Sequence, residues 1–549
     1  MARLLSQCGA RRDFLAAFIL LGACALFAAF FLDFNRPPFE DAAMLMRYAE
    51  NLAHGHGIVW NVGEAPVDGA TDFLFMTSVS ALISAGLTTG RSVRVLGLAA
   101  HAITVLLVYA ANRRIWQASV LVSLITALYI AVGPGLWYVA AYFGTPAFAL
   151  TAAISWWFAL RLMQRPNPKD LDTWGFAVFG LVAGLMRPEG VLLAFYMLLA
   201  VVLARGWRDC RRITVQFGLV MFIFGGLYFA WHWNYFGHPL PNPYYRKGAG
   251  ILHWDSLWES FRYLLHFAGP FAVAFVLALR SGKTLRQAYI IVLPMLLFAA
   301  SFALVSNATN FFGRFQYALE PMVLMSYYPL VMNLPSELHL GPVFARPGLS
   351  SRSLFLIALV SVLVSLGDGA TQVCVRGSRP FDCGNFYEAD GRYDVAKKLA
   401  SYRDRGYVIA TSEAGLLPLY SGWRAVDTWG LNDAWIAQNG EITAKYLDSY
   451  RPAVIVFHAY FSPLVPAGTS DNDMQNSWHR MTLTLQNYAE TNDYILAAAF
   501  GDTPTESHYY YVRRDLAESE SIVRAIAGTR PYYWNASGRK AFNYATLKP

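Results

Sequence analysis

Charge is what this sequence has least of. Of its 549 residues 15% are charged and 56% hydrophobic, whereas ordinary soluble domains carry roughly 25% charged residues. That shortfall excludes a wholly soluble chain and fits one solvated largely by lipid. A basic soluble face is also lacking. The net charge is +8, but from Thr371 onward 18 Lys+Arg face 19 Asp+Glu, and the excess of 26 over 17 lies before it. A nucleic-acid protein would carry its basic patch on a soluble face. Internal repeats are missing, which counts against an inverted-repeat transporter or lipid flippase. Low-complexity linkers are missing too. Cysteine is scarce, with five in the chain.

Apolar runs near bilayer length recur up to residue 369. The candidates are 14–32, 94–111, 117–133, 147–163, 174–186, 190–204, 213–232, 263–280, 287–305, 313–333 and 352–369. The first follows Arg3, Arg11 and Arg12 and lacks a small-residue cleavage site, so it reads as a retained span. The run 72–87 is apolar but starts at Asp72, and is expected to dip in without crossing. With the N-terminus inside, the inner loops then collect 17 Lys+Arg against 5 Asp+Glu. That asymmetry is the positive-inside pattern. The expected architecture is a polytopic α-helical membrane domain of about eleven spans over 1–369, with a first outer loop at 33–93. A soluble α/β domain follows outside at 370–549. Within it, Tyr407–Ala410, Ala453–Phe457 and Tyr509–Val512 read as strands; Gly391–Arg403 and Met474–Tyr488 read as helices. Cys374 and Cys383 both fall outside, where a disulfide suits an oxidising compartment.

Polar residues collect on the outer side. Arg187 and Glu189 sit between two apolar runs, Arg314 starts another, and Arg246 and Lys247 close the loop from Asn234. Such charges are interfacial anchors or internal pairs, or they converge on an anionic ligand at the lipid boundary; a phosphate suits arginine geometry. The first outer loop carries Glu40-Asp41, then Arg47 and the turn His54-Gly55-His56-Gly57. Ala42–Ala53 has helical spacing, and the two acids would cap it. One suffices for that, which leaves the other as a general base. His54 and His56 resemble half a metal site, but without further ligands nearby they read as loop hydrogen-bonders, and no metal is expected.

Glu40-Asp41 followed by Arg47-Tyr48-Ala49-Glu50-Asn51-Leu52-Ala53-His54-Gly55-His56-Gly57 resembles the first outer loop of GT-C-fold glycosyltransferases that use polyprenyl-phosphate sugars. The match is nearest the terminal β-(1→2)-arabinofuranosyltransferase group and its bacterial relatives. Val67–Asp72, Arg187-Pro188-Glu189-Gly190, the run Gly237–Lys247 and Val426–Asp433 are similar to further motifs of that group. Two positions depart from it. Glu40 replaces the usual Asp, and Tyr142-Phe143-Gly144-Thr145 has Gly144 where relatives carry an acid. The resemblance implies an inverting transfer of a pentofuranose, arabinofuranose first, from a polyprenyl-phosphate donor to a glycan or glycoconjugate at the outer face of a bacterial cytoplasmic membrane. It implies Asp41 as base, with Glu40 beside it. Arg187, Arg246, Lys247 and Arg314, with Glu189, Asn242, Tyr244 and Tyr245, would meet the donor phosphate, and Arg47, His54 and His56 would lie by the acceptor. No cofactor is implied. The alternatives are a protein O-glycosyltransferase acting on a surface protein such as a pilin, a lipid-linked-sugar flippase, or a non-enzymatic assembly scaffold.

The charge asymmetry makes one prediction directly. Reporter fusions after Thr371 should be active only outside the cytoplasm; activity confined to the cytoplasm would overturn the orientation.

Overall fold

The computed structural model describes residues 2–31, 37–248, 252–272, 274–275, 282–305, 310–332, 391–459, 473–501 and 507–529. The expected Cys374–Cys383 pair and the run 352–369 lie outside the described residues. The membrane part is helical. Its long elements are α1 (Ala2–Phe31), α4 (Thr89–Arg114), α5 (Val120–Ala131), α7 (Thr145–Gln164), α8 (Asp170–Met186), α9 (Glu189–Arg205), α10 (Trp207–Val220) and α11 (Gly226–Phe236). α13 (Trp254–Ala268) and α14 (Gly282–Ser301) follow. Six stretches among the described residues are apolar and long enough to cross a bilayer: Ala10–Phe30, Thr89–Arg114, Val120–Ala140, Thr145–Gln164, Trp207–Phe236 and Leu285–Leu304. α8 and α9, at 17 residues each, reach about 25 Å at 1.5 Å per residue. The chain is a multi-pass membrane protein. Its large exposed side chains, such as Phe14, Phe18, Phe222, Phe224 and Leu227, are apolar because lipid covers these faces.

Three expected spans differ. The run 263–280 starts inside α13, which ends at Ala268, and continues as a short 3-10 turn, Gly269–Phe271. Of the run 313–333, the described residues 313–332 form no continuous helix; they include α15 (Leu319–Leu324) and α16 (Tyr327–Met332), short helices set among buried residues with Pro321 and Pro329 breaking the pattern. α10 and α11 are joined by a π-helical turn, Met221–Gly225, into one rod longer than the run 213–232. Apolar α3 (Phe73–Ser84) has 12 residues, too few to cross a core roughly 30 Å thick. Charges assigned to the inner side pair with one another: Asp13 with Arg113 at 2.8 Å, and buried Asp172 with Arg161 at 2.8 Å and Arg165 at 2.9 Å.

The C-terminal part is a five-stranded mixed sheet. Its strands are β1 (Val408–Thr411), β2 (Arg424–Asp427), β3 (Val454–His458), β4 (Tyr494–Gly501) and β5 (Ser507–Arg513), in the order β2-β1-β3-β5-β4. β2, β1 and β3 are parallel, while β5 is antiparallel to β3 and β4. Helices α17 (Arg392–Leu399), α18 (Leu416–Ser421), α19 (Ala434–Asn439) and α21 (Asp473–Thr491) pack around it. The carboxyl ends of the parallel strands, where open α/β sheets place their ligands, meet helix α2 (Glu40–Ala53): Gly415 and Leu416, after β1, donate to Glu40, and Asn432, after β2, accepts from Tyr48.

Arg47 of α2 fastens this joint. It is 8% exposed and donates to the carbonyls of Trp60 at 2.8 Å, Trp423 at 2.9 Å and Pro418, and to Asn61 Oδ1 at 3.0 Å. Asn61 in turn bonds Ala425 through both backbone groups, at 2.9 and 3.0 Å. Arg47 is thus a clamp between domains, not the acceptor contact expected of it. Gly415 is required by close approach, because a Cβ there would sit 2.0 Å from the Glu40 carbonyl.

Arg47→Ala should strand several buried carbonyls and cost on the order of 3 kcal/mol. Arg47→Lys should rescue little, since an ammonium cannot span the fork. Melting of the purified protein checks this; a Lys variant melting like wild type would refute it.

Candidate functional site

α2 begins at Glu40 with Phe39 at its N-cap. Successive helical residues diverge by about 100°, so the adjacent acids point to different places. Asp41 faces a cavity of about 310 Å³ between the membrane helices, the loops at their ends and Leu431 of the C-terminal part. Glu40 does not line it. Its Oε1 accepts the backbone N–H groups of Gly415 and Leu416 at the start of α18, and Oε2 lies 3.2 Å from Arg392. Neither acid caps α2, which departs from expectation; both carboxylates are engaged further away in the chain.

Asp41 is ion-paired with Arg314. The guanidinium of Arg314 lies over the rings of Phe143 at 4.3 Å and Phe315 at 5.2 Å. Arg187 also lies over a face of Phe315, 4.8 Å from its centroid. Arg187 bonds Glu189 at 2.5 Å and Asp72 at 3.1 Å. Burial would strip its proton, but Asp72 and Glu189 outweigh that and hold the guanidinium firmly charged. Two cations and three acids thus meet in a largely apolar cavity, where low polarisability magnifies each charge.

Asp72 is the residue sequence reasoning overlooked: it belongs to a recognised motif but was given no role. A Cβ on Gly144 would lie 2.8 Å from Asp72 Oδ2. An acid from 72 residues earlier thus borders the space that a side chain at position 144 would fill. A second overlooked pair, Asp68 with His232 at 2.7 Å, supports the same loop. The Asp68 carbonyl accepts from the Asn242 N–H at 3.0 Å.

Of the expected donor residues, Arg187, Glu189, Arg314 and Tyr244 line the cavity. Asn242, Tyr245 and Arg246 do not. Arg246 instead lies 3.9 Å over the Trp429 ring and donates to the Trp429 carbonyl at 2.8 Å and Ser477 at 2.9 Å, tying its loop to the C-terminal sheet. Asn242 is buried and Tyr245 half exposed beside Tyr244. The Lys247 side chain is outside the described residues. His54 and His56 are exposed, with His54 Nδ1 2.8 Å from the Glu50 carbonyl of its own helix.

A set with metal-ligating chemistry does converge elsewhere: Glu413, His458 and His508 at the sheet end. Arg392 lies 2.7 Å from the Glu413 carboxylate, which also meets His508. The two imidazoles stack within 3° of parallel, so their in-plane lone pairs do not converge. We read the group as an ion network bracing the joint. Burial opposes ionisation of Glu413, but Arg392 and His508 pull it well below the usual carboxylate range. Glu40, sharing Arg392 with Glu413, is pushed up to about 7 by burial.

Comparisons place this geometry among known folds. A family model described as a domain of unknown function (DUF8728) matches residues 384–516. No curated protein matches the sequence. ArnT from Cupriavidus metallidurans bound to undecaprenyl phosphate is 13% identical with a TM-score of 0.55, over 91% of this chain and 97% of that one. Its apo form gives 15% identity and 0.50, over 91% and 97%. The archaeal oligosaccharyltransferase AglB from Archaeoglobus fulgidus, in complex with an inhibitory peptide and a dolichol-phosphate, gives 11% and 0.50, over 93% and 77%. At such identities the likeness establishes the fold, which is the GT-C fold.

The joint should titrate. A carboxyl whose folded affinity for protons is raised adds stability below its unfolded value, 4.5, and loses it as pH rises through about 7. Wild type should therefore lose a share of its melting temperature over that window that Glu40→Gln does not lose. Parallel melting curves for both proteins across the window would rule this out.

Proposed function

We propose that the chain is an inverting glycosyltransferase that moves a sugar from a polyprenyl-phosphate donor to an envelope glycan or glycoconjugate. The observation that carries this is the meeting of Asp41 and Arg314 beside Arg187 in one cavity open between membrane helices and a soluble domain. Undecaprenyl phosphate bound to ArnT and dolichol-phosphate bound to AglB support a lipid-phosphate donor. The first-loop resemblance supports arabinofuranose as the sugar, and the orientation supports the outer face of a bacterial cytoplasmic membrane. The soluble part, from about residue 370, is the extracytoplasmic domain in this reading.

The chemistry follows from the residues. The acceptor hydroxyl attacks the anomeric carbon as the bond to the phosphate oxygen breaks. The electron pair leaves with the lipid phosphate, and the hydroxyl proton passes to the Asp41 carboxylate. Leu192, Phe302, Leu304 and Val305 offer an apolar wall for the first prenyl units. As the phosphate gains charge, Arg314 and Arg187 stabilise it more than they stabilise the intact donor. Arg314 also holds the Asp41 carboxylate in place through their ion pair. Its partner lies 273 residues earlier, so no reading of its own loop could find it. No metal is assigned to the step.

Asp41→Asn should lower transfer ~10²–10⁴-fold while sparing folding, and Glu40→Gln should be milder. Arg314→Lys and Arg314→Ala should both lower turnover, not affinity alone. Transfer by purified protein from radiolabelled polyprenyl-phosphate arabinofuranose tests all four. A well-folded Asp41→Asn protein with most of its activity would sink the assignment; transfer from other polyprenyl-phosphate sugars alone would sink the choice of sugar.

A further inference from the structure

Asp72 lines the cavity, yet the transfer as described gives it nothing to do but neutralise Arg187. That pairing stands in the way of the donor. Arg187 gives Nε to Glu189 at 2.5 Å and Nη1 to Asp72 at 3.1 Å. A guanidinium grips a phosphate through two parallel N–H bonds. Two carboxylates already share this one, so either the phosphate competes with both or one acid gives up its charge. Arg314 does not relieve the conflict. Its Nη2 is committed to Asp41, which leaves a buried Nε with no hydrogen-bond partner among the described residues.

Of the two acids on Arg187, Asp72 is the one placed to yield. Its side chain is 10% exposed against 18% for Glu189. Its contacts with Arg187, at 3.1 and 3.4 Å, are longer than that of Glu189. It sits at the N-cap of α3, outside the spans, with no water to retreat into, so its charge is what can change. Around it stand Arg187 and Glu189 from the turn between α8 and α9, Arg314 before α15, and the Thr71 hydroxyl of its own loop. Asp41 of α2 is tied to Arg314, and Asp68 to His232. Burial raises the proton affinity of the Asp72 carboxyl, and with Glu189 it outweighs Arg187, Arg314 and Thr71.

Resting on the lipid-phosphate donor above, we propose that Asp72 is protonated in the donor complex and donates a hydrogen bond to the phosphate. A carboxylic acid kept neutral in an apolar site is a good donor to an oxyanion. The proton comes from water as the donor enters, and Arg187 then has one acid fewer opposing the phosphate. As the bond to the anomeric carbon breaks, the electron pair goes to the phosphate and the hydrogen bond from Asp72 strengthens. The proton stays on the carboxyl and returns to water when the lipid phosphate departs. Asp41 remains the base.

The sign of the pH dependence follows. An anion beside Asp72 raises its proton affinity further. Donor affinity therefore falls with rising pH, by about tenfold per pH unit, wherever the free protein has lost this proton and the complex keeps it.

The test is calorimetry on the full chain in nanodiscs, with polyprenyl-phosphate arabinofuranose and no acceptor. The phosphate of that diester has one acidic group, ionised throughout, so any proton taken up belongs to the protein. In PIPES and imidazole, buffers with different ionisation enthalpies, the heats should differ by an uptake of up to one proton per donor, a measurement that needs no variant to fold. Asp72→Asn cannot ionise but keeps an N–H donor. It should take up no proton, and it should hold its affinity as pH rises where wild type loses it. No proton uptake by wild type, or a parallel loss of affinity in both proteins, would overturn the proposal. Donor binding that EDTA abolishes and manganese restores would overturn it too, by giving the charge balance to a metal. No donor binding at any pH would sink the lipid-phosphate reading itself, and this proposal with it.

Discussion

The arrangement depends on one turn of backbone, the step from Glu40 to Asp41. Because neighbouring residues of a helix diverge, a single pair of acids serves two surfaces. Glu40 reaches outward to the N-terminal end of α18, and Asp41 reaches inward to Arg314. The soluble sheet would ordinarily offer the carboxyl ends of its strands to a ligand of its own. Here a carboxylate of the membrane part occupies that position, and the two parts become one structure. Rotating α2 by one residue, about 100°, would turn both acids away from their present partners.

Inside the cavity, order comes from charge alternation in apolar surroundings. Asp41 pairs with Arg314, Arg187 pairs with Asp72 and Glu189, and both guanidiniums also lie near the Phe315 ring. Fixed charges of this kind need no rearrangement when a reacting group gains charge. The aromatic rings exclude water while still favouring the cations.

Much of the fold was legible because its causes are local. Apolar run length marks the helices, and short apolar runs mark β1, β3 and β5, which are buried at almost every position. The run 313–333 misled because burial inside protein and burial in lipid select the same apolar residues; only Pro321 and Pro329 hinted at broken helices. In the site, Asp41, Arg187 and Arg314 were legible as charges out of place at a membrane face. Arg246 and Arg47 share that signature, yet they clamp domains, and composition does not distinguish a clamp from a ligand contact. Asp72 was missed because its meaning is set by Gly144, and space at a distant glycine leaves no mark beside the acid itself.

The clamp also sets a timetable. Arg47 waits for Pro418 and Trp423, 371 and 376 residues further on, and Glu40 for Gly415, 375 further on. At ribosomal rates of about 5–20 residues per second, roughly 20–75 s separate the synthesis of these partners. Throughout that interval the loop bearing Asp41 lacks the surface that fixes it. The surroundings of Asp41 are therefore complete only once the C-terminal part has been made and has docked on α2.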